Sequence, residues 1–172
     1  MELDQVLGLP AHPLIVHIPV VLIPITMLAA IAAVAWPRGR RVLSLVVAGG
    51  ALVAFVGAQL ATMSGESLQG RVVETSLIER HAQLGEATRT LAFVMLVVAI
   101  AYCARQWRES LRVPGASRIR PLLAPRAVGA ALTVAVVAST ALATTWAVRA
   151  GHEGAKATWS SLPAQAVVHE DD

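Results

Sequence analysis

The chain has 172 residues, of which 56% are hydrophobic and 15% charged, with a formal net charge of +3 and a mean hydropathy of +0.64. A soluble domain of this length has too little interior to hide so much apolar surface, so a water-soluble globule is excluded and lipid is the natural solvent. The apolar residues gather into four runs near the roughly 20 residues that cross a hydrocarbon core of about 30 Å.

The segment from Met1 to Ala11 carries Glu2 and Asp4 and no base. It therefore lacks the basic start of a cleaved signal peptide, and the first span is expected to stay in the protein. That span runs from Leu14 to Trp36, with His17 as its one ionisable side chain. Pro13 suits a first helical turn with His12 beside it as a cap. Pro19 and Pro24 read as interior, each releasing the carbonyl four residues before it, on Ile15 and Val20. Such carbonyls need another donor, which places this segment against protein, water or ligand.

The second span runs from Val42 to Met63 and the fourth from Ala127 to Val148, neither with a charge. The third, about Leu84 to Ala104, begins among Glu86, Thr88, Arg89 and Thr90 and is expected to protrude from the membrane at its start. No run alternates with period two, which argues against transmembrane strands. The expected fold is all-α, an integral membrane four-helix bundle formed by residues 1–162 as one domain. Residues 163–172 read as an acidic, flexible tail.

Arginine sets the orientation, because cytoplasmic loops keep Lys and Arg. The first loop holds Arg38, Arg40 and Arg41, for +3; the third holds Arg105, Arg108, Arg112, Arg118, Arg120 and Arg126 against Glu109, for +5. The N-terminus, the second connection and the C-terminal segment carry −2, −1 and −2. Both termini are thus expected outside, with the Arg-rich loops in the cytoplasm of a bacterial inner membrane. The same segregation explains a pI near 10 without nucleic acid, which is not an expected partner.

Cys103 is the single cysteine. It reads as a small buried hydrophobe, and the chain by itself can form no disulfide or thiolate cluster. Four of five histidines gather toward the outer side: His12 and His17 at the start of the first span, His81 before the third, and His152 after the fourth, with Glu66 at the end of the second. His169 belongs to the tail. Gln59 and Thr62 share a helix face with Glu66, Thr88 one with His81, and Thr145 and Arg149 one with His152. Such stripes meet at one end of a bundle core, where bundles build cofactor and metal sites.

The stretch His12-Pro-Leu-Ile-Val-His-Ile-Pro19, then Ser64-Gly-Glu66, then Glu79-Arg-His81 with Gly85, resembles the bacterial membrane family catalogued as domain of unknown function 2231. The likeness covers about Pro10 to Trp159. Ile18 stands where an aromatic is usual, and Gln83 follows His81 where an acid is common. The resemblance implies four transmembrane helices, and the joining of some members to iron–sulfur or cytochrome modules implies redox work.

Two imidazoles from facing helices suit a b-type haem, with membrane electron transfer to quinone or an extracytoplasmic redox protein as the role. A His/Glu cluster suits zinc, copper or non-haem iron instead. His17, the deeper histidine in the proline-disturbed segment, is the first choice of ligand, with His81 as partner on the family motif. His12, His152 and Glu66 then support the pair or line its entrance. With ligands on one side only, a single centre exchanges electrons along the outer surface rather than across the membrane.

The other reading is a cofactor-free interaction or assembly subunit, possible as a homo-oligomer. Gly50, Ala54, Gly57, Ala58 and Ala61 permit close approach between helices or within one chain. No P-loop, dinucleotide fingerprint or nucleophile–histidine motif is present, so nucleotide chemistry and hydrolysis are disfavoured, and a stand-alone enzyme is the weaker expectation.

Overall fold

Helix α1 (Ala11–Ile15) runs almost directly into α2 (His17–Ala35), and the two form one membrane-length span of 25 residues. The structure, a computed structural model, describes residues 5–6, 9–108 and 126–159. The acidic tail with His169, and the loop residues Arg112, Arg118 and Arg120, lie outside the described residues. Two-residue strands β1 (Gln5–Val6) and β2 (Leu9–Pro10) pair antiparallel just before α1.

The remaining spans are α3 (Arg40–Gln69), α4 (Ser76–Trp107) and α5 (Arg126–Trp159), of 30, 32 and 34 residues. At about 1.5 Å per residue each is longer than a hydrocarbon core of about 30 Å. Their ends therefore project, and the polar first turns of α4 are the part of that helix least suited to lipid. Thr75 caps that start, its hydroxyl accepting the Ile78 N–H at 3.3 Å. The spans all begin earlier than their apolar runs, and three of the four also end later. A helix in the interfacial zone can carry polar residues while its backbone bonds to itself.

The prolines behave differently from the sequence expectation. The helix breaks at Val16, so Pro19 falls in the first turn of α2, where no intrahelical donor is lost, and Pro24 alone is interior. The His17 ring donates from Nδ1 to the Pro13 carbonyl at 2.7 Å, across this break. His12 is not a cap: Pro10 holds that position, and His12 lies inside α1.

α2 packs on α3 and α5, and α4 packs on the same two helices, so the bundle is a square with α2 and α4 on one diagonal. Consecutive helices run antiparallel. Small residues fill most of its axis: Ala30, Ala33, Ala51, Ala54, Ala92, Ala99 and Ala143 are fully buried, with Ile23, Met95, Tyr102, Val47 and Val136 as larger exceptions. Most other large aliphatics point outward, Leu28 being 61% and Val134 69% exposed. This inversion is what lipid favours, because tails solvate Leu and Val while backbones gain dispersion energy by close approach. Gly57 shows the approach directly, since a Cβ there would collide with Ile18 and meet Pro19 at 3.2 Å. The small-residue face of α3 is thus used within the chain.

The arginines Arg40, Arg41, Arg105, Arg108 and Arg126 all sit at one end of the square. There Arg40 donates to the Ala33 and Val34 carbonyls at 3.2 and 3.4 Å, closing the C-terminus of α2. Trp107 donates its indole N–H to the Arg41 carbonyl at 3.0 Å, and the Arg41 guanidinium lies 4.7 Å from that ring. Among the described residues the Tyr102 hydroxyl is buried with no hydrogen-bond partner. Tyr102→Phe removes an unsatisfied group and keeps the ring, so it is expected to leave stability unchanged or raise it by about 1 kcal/mol. Thermal unfolding in detergent measures this; a clear loss would mean that the hydroxyl is satisfied in the membrane.

Candidate functional site

The opposite end of the square collects the start of α1, the end of α3, the start of α4 and the end of α5. His12 reaches from α1 to α3 and donates from Nδ1 to the Ala61 carbonyl at 2.9 Å, with Ser64 Oγ 3.3 Å from the same nitrogen. His81 reaches from α4 to α5 and donates from Nδ1 to the Ala150 carbonyl at 2.9 Å. A carbonyl can only accept, so both rings carry a proton on Nδ1, and in the neutral form of either ring the lone pair is on Nε2. The two rings meet edge to face, centroids 5.9 Å apart and planes at 79°.

Glycine makes room for each ring. A Cβ on Gly65 would lie 3.0 Å from His12 Cε1, and one on Gly154 would lie 2.9 Å from His81 Cε1 and Nδ1. Beside His12 is a crevice of about 10 Å³ lined by Pro10, Ala11, Ser64, Ser67, Leu68 and Arg71, a volume near that of one water.

The other candidates stand apart from this pair. His17 is exposed on the outward face of α2, tied to its own chain segment through Pro13, so the structure joins His81 to His12 rather than to His17. Glu66 and His152 are exposed on the rim. Thr62, Thr88 and Thr145 each return their hydroxyl to the carbonyl four residues back, on Ala58, Leu84 and Ala141. Those three hydroxyls are satisfied within their own helices. Among the described residues no three His, Cys, Asp or Glu side chains cluster as a metal-binding group.

Sequence reasoning named Ala61 only as one of the small residues of the second span and did not single out Ala150 or Gly154; the contribution of both alanines is a backbone carbonyl. Gly65 was within reach, because it is the glycine of Ser64-Gly-Glu66.

Four membrane-length helices around an axis of small residues, with polar groups gathered at the ends, define a multi-pass integral membrane protein. The chain belongs to the family described as predicted membrane protein (DUF2231), whose match covers residues 8–162. Comparison with curated proteins yields no match, and comparison with solved structures yields none.

Proposed function

We propose that this membrane protein binds one transition-metal ion between His12 and His81, at the extracytoplasmic end of the bundle. The observation that carries the proposal is the pair of Nδ1–H to carbonyl bonds, which leave both Nε2 atoms as donors on rings 5.9 Å apart. A ligating histidine usually has this arrangement, its second nitrogen fixed by a carbonyl or carboxylate that sets tautomer and orientation. Imidazole suits zinc, copper, iron and nickel. Two protein donors leave coordination positions for water or an exogenous ligand, as in sites that do chemistry or exchange electrons.

Haem b is the larger version of the same reading. A porphyrin would have to lie between the two imidazoles, which are in edge-to-face contact beside a crevice of about 10 Å³. No macrocycle fits between rings this close, so haem requires the end of the bundle to open. An absorption spectrum and elemental analysis of detergent-purified protein test both. About one metal per chain without a Soret band supports the compact site, a Soret band means opening, and a colourless, metal-free protein refutes the proposal.

A redox-active ion here would exchange electrons with quinone or an extracytoplasmic protein, because one centre near one face does not bridge a core of about 30 Å. The orientation rests on the arginines, which favour the cytoplasm. Accordingly, a reporter active only in the cytoplasm is expected to work when fused after Arg41 or Arg118 and to fail after Val73 or at the C-terminus. Activity at the C-terminus would place the histidine pair inside.

A further inference from the structure

We infer that the bundle is one helical hairpin repeated in tandem, with the His12–His81 pair on the pseudo-two-fold axis between the copies, so that a bound ion meets two equivalent imidazoles. The second clause rests on the metal reading above; the first does not.

The buried residues carry the repeat. Pro19, Ile23, Thr26, Ala30 and Ala33 of α2 each have a buried counterpart 69 positions later in α4: Thr88, Ala92, Met95, Ala99 and Tyr102. Val47, Ala51, Ala54, Ala58 and Ala61 of α3 match buried Val136, Thr140, Ala143, Ala147 and Ala150 of α5 at an offset of 89. Any two helices with one buried stripe can be slid into register, so this alone proves little. The added fact is that the first offset also superposes His12 on His81. The second also superposes the accepting carbonyl of Ala61 on that of Ala150, and Gly65 on Gly154. Each hairpin thus closes with the same clip, a histidine on the first helix donating to a carbonyl of the second and lying over the glycine four residues on.

The packing agrees. Exchanging α2 with α4 and α3 with α5 maps every neighbouring pair of the square onto another neighbouring pair. Both hairpins start at the same end, so the axis runs along the bundle, as in parallel membrane repeats. The rings touch across the diagonal, which is where that axis lies. The copies differ at the close contact of the first hairpin, where buried Gly57 has Trp146 as its counterpart, and in the connection, which is longer in the second hairpin.

Matched substitutions in the full-length protein test the inference, with Co²⁺ as the probe read by its visible spectrum. Gly65→Ala and Gly154→Ala each press a methyl on the supported ring and are expected to weaken Co²⁺ binding by about 10–100-fold. The two should agree within about threefold, because equivalent positions act alike on the one ion that both rings hold. A discrepancy beyond about tenfold overturns equivalence. In the apo protein, His12→Ala and His81→Ala each remove the clip and should both lower the melting temperature, and a loss confined to one of them overturns the repeat. If wild-type protein takes up no Co²⁺, the metal reading fails, and the melting comparison alone decides the repeat.

Discussion

Purified His12→Asn and His81→Asn proteins are expected to insert and fold while losing bound metal, with affinity reduced by more than about 100-fold. Asparagine places an amide N–H near the position of Nδ1, so the bond to the Ala61 or Ala150 carbonyl can persist. It offers nothing at the position of Nε2. The variant thus separates the imidazole as ligand from the imidazole as interhelical pin, which alanine does not. His17→Asn is expected to keep full metal content, because His17 faces outward and bonds to Pro13. Elemental analysis against protein concentration gives the result. Loss of metal in the His17 variant with retention in the other two would move the site to the lipid-facing side of α2.

Enlarging the axis should be the most damaging change to the fold. Ala54→Leu is expected to cost about 1–3 kcal/mol or more, because Ala54 is fully buried in an axis of small residues that has no space for a longer side chain. Val53→Leu, one residue away with Val53 51% exposed, should be near neutral. Thermal unfolding in one detergent separates them. Equal melting temperatures would mean that the helices tolerate separation, and that close backbone approach is not what holds the bundle together. Gly57→Leu should resemble Ala54→Leu, since its side chain would collide with Ile18.

The four spans and the membrane as solvent were legible in the sequence, because both follow from the length of apolar runs, a property local to each helix. The arginine end was legible for the same reason: loop charge needs only the order of spans along the chain. The helix ends were less so, since backbone bonding continues through Ser76–Leu84 and Arg149–Trp159, where apolarity has already stopped.

The gathering of His12 and His81 at one end also followed from span order, but the choice of partner did not. His17 looked better placed by depth and by its prolines, yet five residues along a helix turn a side chain about 140° away. Which of the two faced the axis depended on how α1 and α2 rotate against α3. Only the tertiary structure decided that, through the break at Val16 and the bond from His12 to Ala61. The repeat was hidden for a related reason. Its matches lie 69 positions apart in one helix pair and 89 in the other, because the two hairpins have connections of different length, and most are alanine, a residue too common in this chain to mark a register. A backbone carbonyl carries no side-chain signature, so its role as the support for a ring emerges only when two helices are packed together.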